Sequence, residues 1–414
     1  MRIQKCKGTR DLSPEEMRRF RQIEGVFRNT CLAWDYKEIK TPTIEYLHLF
    51  TSAGTLTPST LGKVYSFLDW DGWSGERVVL RPDGTIPVAR AYIDKMAAEK
   101  LARLFYVTNI FIFEETGKES REKWQCGVEL IGAGSTTADV ELTSIAMETL
   151  KTNGLKNIEL KLSHAGIIRA LLSGFGLSLE EQSKVFDQIL DGDATRLNQL
   201  RDRTPELARL LTPLLDFKGE SSGFLKNLKA IFTQNLPEFR PALDNFIAIT
   251  ELLTSMGQPY EIDIASGRGF EYYTGLIFQL FAGKVKVGGG GRYNALIPLM
   301  GGGNIPASGF ALYLDPLMKL VKPSRTVTNK ILVTVQDEQT GLMKSAFKVV
   351  KRLHEAGFVT SLNLNIKEKQ TYKWQLEIRK KAPHFILISN SGKSKQEVGT
   401  IDAVLKLLGG QRAR

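Results

Sequence analysis

WQCGVELIG, residues 124–132, alternates along its length as a β-strand does. Cys126, Val128 and Leu130 fall on one face, which is apolar, while Gln125, Gly127 and Glu129 fall on the other. A glycine between an amide and a carboxylate leaves room above the sheet. A carboxylate on the inner face needs a partner, either a ligand or a structural hydrogen bond.

On both sides of this strand lie short β-rich runs separated by turn residues: YKEIKTPTIE (36–45), KVYSFLDWDGWSGERVVLRPDG (63–84) and ARLFYVTNIFIFEE (102–115). They lack the regular strand–helix alternation of a parallel α/β fold, so the pattern predicts an α+β protein whose antiparallel sheet is flanked by helices. Met17, Phe20, Ile23, Val26 and Phe27 recur at helical spacing behind a Ser13 cap, which predicts an opening amphipathic helix over 14–34. ADVELTSIAMETLKTNG (138–154) reads as a helix stopped at Gly154, and NIELKLSH (157–164) as a strand.

From 165 to 255 the pattern is helical, with polar breaks at DGDATR and KGESSG, and we read a helical insertion there. Strands resume at EIDIAS (261–266) and GLIFQLF (275–281). The core thus spans 1–164 and 256–321. After a polar linker at 322–329, residues 330–414 predict a small α/β domain. Its order reads strand KILVTV, helix GLMKSAFKVVKRLHEAG, strand FVTSLNL, helix YKWQLEIRKKA and strand HFILIS.

Composition narrows the function classes. With 414 residues and 42% hydrophobic content the chain can bury large cores, and disorder is excluded. No signal-peptide pattern or run of ~18 apolar residues occurs, so a soluble, cytoplasmic protein is expected. The three cysteines and four histidines are scattered without metal-ligand or disulfide spacing, so no metal site is expected. The charge of +11 is uneven: residues 330–414 hold 16 Lys plus Arg against 7 Asp plus Glu. That basic segment suits either a polyanion or a solvated face.

Three motifs carry candidate chemistry. VVLRPDGT (78–85) sets Arg81, Asp83 and Thr85 at the end of a β-run; the carboxylate and hydroxyl can hold an ammonium group, or Asp-Gly can be an ordinary hairpin turn. GRGFEYYTG (267–275) joins Arg268 to adjacent tyrosines that on a strand point to opposite faces, one toward a pocket and one toward the core; Arg268 can pair with a ligand carboxylate, or the motif can be a core tyrosine pair with a surface arginine. The glycine runs in VGGGGRYNAL and LMGGGNIPASGF lack the spacing that cradles phosphates.

Taken in order, KGTRDLSPEE, Pro42 in IKTPTIE, LRPDGT, QCGVELIG, GRGFEYYTG and GGRYNAL resemble the histidyl-tRNA synthetase family over essentially the whole chain. The resemblance implies a class II synthetase core, a homodimer formed through the segment around Pro42, and a pocket for free histidine. By that resemblance the pocket residues are Asp83, Thr85, Gln125, Glu129, Arg268, Tyr272 and Tyr273, with Asp83 standing where the family has glutamate.

The nucleotide half departs from the family. Phe111 or Ile112 takes the place of the arginine in the family's second motif, and Lys123 and Pro316 take those of the aromatic and the arginine that sandwich adenine. Glu114 and Arg121 remain as possible nucleotide contacts. A histidine pocket without adenylate machinery resembles the regulatory subunit of ATP phosphoribosyltransferase. ILDGDATRLNQLRDRTPEL (189–207) is similar to that branch too. The expectation is a non-catalytic histidine sensor partnered by the catalytic ATP phosphoribosyltransferase subunit. The alternative is a histidine-tRNA ligase, which alone would use ATP and magnesium. The C-terminal segment resembles an anticodon-binding domain and would suit tRNA.

Overall fold

The computed structural model describes every residue except 1–3, 54–60, 71–74, 192–194, 196–197, 200–201, 203–204, 206–217, 233–238, 268–271, 324–329, 338–339, 365–371, 390–393 and 410–414. Most of ILDGDATRLNQLRDRTPEL, most of the 322–329 linker and Arg268 lie outside the described residues. The chain forms two compact units, Met1–Pro323 and Ser324–Arg414.

The first unit opens with α1 (Pro14–Ala33), followed by β1 (Lys37–Glu38), β2 (Ile44–Tyr46), α2 (Leu47–Ser52), β3 (Ser66–Trp70) and β4 (Gly75–Leu80). Next come α3 (Thr85–Lys95), β5 (Ala102–Phe111), β6 (Glu122–Ile131), α4 (Thr136–Thr152) and β7 (Ile158–His164). Among the described residues the helices that follow are α5 (Ala165–Ser173), α6 (Leu179–Leu190), α7 (Ser222–Phe232) and α8 (Phe239–Ser255), with β8 (Lys218–Gly219) before α7. The unit ends with β9 (Glu261–Asp263), β10 (Leu276–Ala282), β11 (Val285–Arg292), α9 (Leu296–Leu299), β12 (Ala307–Tyr313) and α10 (Leu314–Leu320).

Among the described residues, nine strands form one sheet in the order β1-β5-β6-β12-β11-β10-β7-β9-β8. Pairing is antiparallel from β5 through to β7. The β1–β5 and β7–β9 pairs are parallel, which the sequence reading missed. Parallel partners need a long crossover, and the helices between β7 and β9 provide one. A smaller sheet runs β2-β4-β3.

Ser13 caps α1 as expected: its hydroxyl accepts from the Glu16 amide and the Glu16 carboxylate accepts from the Ser13 amide. Phe20, Ile23, Phe27 and Cys31 line the buried face of α1, in one core with Cys126, Val128 and Leu130 of β6. The apolar face read in WQCGVELIG therefore packs under the opening helix. The opposite face is left to carry Glu129.

A buried ion pair ties the sheet to α4. Arg292, the last residue of β11, meets Asp139 at 2.8 Å and also donates to the Ala133 and Ser135 carbonyls at 3.1 and 3.0 Å. Burial pushes the Asp139 carboxyl up to about 6 even though Arg292 pulls it down.

The second unit comprises β13 (Lys330–Val335), α11 (Thr340–Glu355), β14 (Val359–Leu362), β15 (Trp374–Ile378), β16 (Phe385–Ser389), β17 (Lys395–Val398) and α12 (Ile401–Leu407). Its sheet order is β14-β13-β15-β16-β17. The helix expected over YKWQLEIRKKA is replaced by β15. That segment is rich in helix formers, but Leu376 and Ile378 alternate into the core while β13 and β16 take the strand's two edges. Tertiary pairing overrides propensity there. No helix among the described residues is long and apolar enough to cross a membrane.

The Arg292–Asp139 pair predicts a non-additive pattern in denaturant unfolding. Asp139→Ala strands a buried guanidinium and is expected to lower stability by about 3–5 kcal/mol, whereas Asp139→Leu combined with Arg292→Met restores most of the loss.

Candidate functional site

The site grows from one pairing. Tyr106 on β5 lies opposite Gly127 on β6. A side chain at Gly127 would run into the Tyr106 ring, and a Cβ at Gly84 would stand 2.6 Å from it. These two glycines let the ring sit between the sheet and the turn before α3. From there the Tyr106 hydroxyl donates to Glu129 Oε1 at 3.3 Å.

Glu129 is 1% exposed. Its Oε2 accepts from the Tyr293 hydroxyl, just past β11, and the Thr85 hydroxyl at the start of α3 is a further hydrogen-bonding partner. Any side chain at Gly309 on β12 would overlap Oε2, so the strand beside β6 has left space for the carboxylate. Burial pushes Glu129 up to about 8, and Asp83 nearby adds to the rise; the three hydroxyls oppose it.

Asp83 stands between β4 and α3, and its Oδ1 accepts from the Ile86 amide at 2.9 Å. The LRPDGT turn therefore leads from a strand into a helix and is no hairpin. Burial raises the Asp83 carboxyl, against the pull of the Ile86, Thr85 and Gly84 amides. Arg81 does not enter the pocket: it donates to Asn109 O at 2.7 Å and Oδ1 at 2.8 Å, and to the Thr41 and Pro42 carbonyls at 3.0 and 2.9 Å. It staples the Pro42 segment to β5.

The tyrosine pair does not alternate: residues 272 and 273 lie in a turn ahead of β10, outside any strand, and their rings are in contact instead of facing opposite ways. Tyr272 approaches Tyr293, their ring centroids 5.5 Å apart, and its hydroxyl is buried with no hydrogen-bond partner among the described residues. Tyr273 meets Tyr272 edge-on at 5.2 Å and packs over Gly291, where a Cβ would come within 2.7 Å of its ring. It touches both hydrophobic cores of the unit. Gln125 is half-buried on the Glu129 face of β6, between Thr108 and Tyr313.

The structure thus brings Asp83, Thr85, Glu129 and Tyr272 together, with Tyr273 behind them. Tyr106, Tyr293 and Gly309 complete the cluster, although sequence reasoning did not select them. The signal for Tyr106 lay in its register with Gly127, which needs the strand pairing to be known.

Glu114 and Arg121 form a separate knot in the loop joining β5 to β6. Arg121 Nε donates to the Glu114 carbonyl at 2.7 Å, and its guanidinium stacks 4.7 Å over Phe113. The Arg121 amide donates to Gly8 O at 2.8 Å, so the N-terminal segment straps this loop. Hydrogen bonds from Thr116 hold the Glu114 carboxyl below its ordinary range. Beside Pro316, Asp315 pairs with Arg10 and lies near Lys123. Internal partners therefore occupy the charged groups on this side.

The nine-stranded sheet, the flanking helices and the acidic, tyrosine-lined cluster define a class II aminoacyl-tRNA synthetase-like fold. The histidyl-tRNA synthetase family model matches residues 8–317, and the chain belongs to that family. It is 49% identical over 380 residues to an ATP phosphoribosyltransferase regulatory subunit of Dehalococcoides mccartyi, covering 91% of this chain and 92% of that one. It is 31% identical to a histidine–tRNA ligase of Methanosarcina acetivorans, covering 100% of both chains. A Bacillus halodurans structure described as an ATP phosphoribosyltransferase regulatory subunit/histidyl-tRNA synthetase superposes with a TM-score of 0.77 at 21% identity, over 92% of this chain and 100% of that one.

If Gly127 exists to admit the Tyr106 ring, Gly127→Ala must force that ring out. We expect about 1–3 kcal/mol of destabilisation in chemical denaturation, largely relieved when Tyr106→Ala is added.

Proposed function

We propose that the chain is a histidine-sensing member of the family that serves as the regulatory subunit of ATP phosphoribosyltransferase and does not activate histidine. The observation that carries this reading is the identity gap, 49% to the regulatory subunit against 31% to the ligase. In this reading free histidine occupies the pocket of Asp83, Thr85, Gln125, Glu129, Arg268, Tyr272 and Tyr273. The acidic cluster suits a cationic ligand, and the unpartnered Tyr272 hydroxyl is available to it.

The nucleotide side supports the absence of catalysis. Adenylate formation needs preorganised cations on the phosphates, and losing one such group typically costs about 100-fold or more. Here an apolar residue stands at 111 or 112, Pro316 replaces the stacking arginine, and Asp315 beside it is neutralised by Arg10. The C-terminal unit does not oppose the reading: a match over 91% of the chain extends past residue 323 into that unit, so the regulatory-subunit relative shares part of it.

The mechanism is linkage. Histidine stabilises one arrangement of the complex with the catalytic subunit, and a coupling of about 1–3 kcal/mol changes activity roughly 5- to 150-fold. We further propose the organisation read from the sequence, with a core over 1–164 and 256–321, an insertion over 165–255 and a C-terminal domain over 330–414, acting in the cytoplasm. The chain is proposed to dimerise through the small sheet beyond Pro42. There Tyr46, Val78 and Phe67 pair side by side on one face, Ile44 joins them two residues from Tyr46, and Ile44, Tyr46 and Phe67 are exposed.

Two measurements test this. Pyrophosphate exchange with histidine and ATP is expected to be absent while calorimetry detects histidine binding, and Tyr272→Phe or Glu129→Gln is expected to weaken that binding about 10- to 100-fold; strong exchange would establish the ligase alternative, with ATP and magnesium as its cofactors and tRNA as its partner. Tyr46→Asp is expected to shift the chain from dimer to monomer in light scattering, with histidine binding retained.

A further inference from the structure

Asp83 and Glu129 both approach Thr85 and Tyr272, and Asp83 is near enough to raise the cost of charging the buried Glu129. Around Glu129 the facing groups are Asp83 and Thr85 before and at the start of α3, Tyr106 on β5, Tyr293 past β11, and Tyr272. Tyr313 on β12 faces Asp83. Every described donor in this set is a neutral hydroxyl or a backbone amide. Arg81, two residues from Asp83, is engaged by Asn109, Thr41 and Pro42, and Arg292, next to Tyr293, by Asp139, Ala133 and Ser135. A buried carboxyl, Glu129, thus neighbours a half-buried one, Asp83, in a cluster where no described cation contacts Glu129.

A buried carboxyl beside a second one, with no described cation to neutralise it, is relieved by taking up a proton. Given the reading of this pocket as a histidine site, on which the inference rests, we propose that the empty pocket keeps one proton on the Asp83–Glu129 pair and releases it to solvent when the cationic ligand enters. The Glu129 O–H bond breaks, its electron pair stays on the carboxylate, the proton goes to buffer, and the ligand ammonium becomes the counter-ion. The Tyr106, Tyr293 and Thr85 hydroxyls then serve a full negative charge, to which hydrogen bonds are stronger. A ligand of the same shape without the positive charge has nothing to exchange for the proton, so the device selects for charge as well as shape.

Burial pushes Glu129 up to about 8, so near neutral pH the proton is in place. The folded, empty pocket holds it more tightly than the unfolded chain does. Stability of the empty protein therefore falls as pH rises from the ordinary carboxylate range to about 8, while histidine affinity climbs over the upper part of that window.

The test is calorimetry of L-histidine binding to the full chain at pH 7 in buffers of different ionisation enthalpy. The expected slope gives close to one proton released per histidine at pH 7, with affinity tightening about fivefold from pH 7 to 8. Imidazolepropionate, which lacks the amine, is expected to bind more weakly with no release. Infrared difference spectra on the wild-type chain supply an independent readout: a protonated-carboxyl stretch present in the empty protein, lost on saturation with histidine and absent from Glu129→Gln. Histidine binding with no proton exchanged and no carboxyl band lost would overturn the proposal and leave the histidine site standing. Absence of histidine binding at every pH would remove the site itself, and the proposal with it.

Discussion

Glu129 is a carboxylate with almost no solvent contact, and the centre of the first unit is arranged to tolerate it. Tyrosines arrive from β5 and from the end of β11, a threonine arrives from the start of α3, and β12 presents a glycine where any side chain would overlap Oε2. An unsatisfied buried carboxylate costs several kcal/mol, so these groups cannot vary independently. The glycines at 84, 127 and 309 serve close approach of other groups to the sheet. That constraint explains a polar cluster deep in a sheet whose opposite face packs under α1.

Parts of this were legible in the linear sequence because they depend on local periodicity. The two faces of WQCGVELIG and the Ser13 cap with its amphipathic helix follow from spacings of two and of 3.6 residues, whereas the strand alternation expected of Tyr272 and Tyr273 fails because those residues sit in a turn. What was not legible depends on pairing between distant segments. Tyr106 becomes a pocket residue only when β5 aligns with β6, and Tyr293 only when β11 lies one strand beyond β12. β15 was misread because its residue types favour a helix, while burial between β13 and β16 decides the outcome. Arg81 was read beside a ligand motif, yet its four hydrogen bonds go to Asn109, Thr41 and Pro42.

The Glu129 cluster and the β5–β6 loop have met different constraints. Around Glu129 the acidic and hydroxyl groups face one another and leave the Tyr272 hydroxyl without a described partner. In the loop joining β5 to β6 Arg121 stacks on Phe113, Arg10 pairs with Asp315, and the N-terminal segment is bonded to the loop. The first cluster keeps polar capacity to spare, whereas in the second the arginines are engaged by groups of the chain itself.

The backbone around residue 292 ties the Glu129 cluster to the helix layer. Tyr293 reaches Glu129, while its neighbour Arg292 is locked to Asp139 and to the carbonyls at the start of α4. Thr136 in the first turn of α4 accepts from Asn245 of α8 at 3.5 Å, and Asn245 Oδ1 meets His164, the cap of α5, at 3.1 Å. Burial pushes His164 down to about 4, against the pull of its Asn245 hydrogen bond. Because Arg292 and Tyr293 share a peptide unit, the backbone that places the Tyr293 hydroxyl on Glu129 is also fixed by the ion pair to α4, so one short segment is held from the sheet and from the helix layer at once. Breaking such a buried pair costs about 3–5 kcal/mol, which makes residues 292 and 293 a single structural unit.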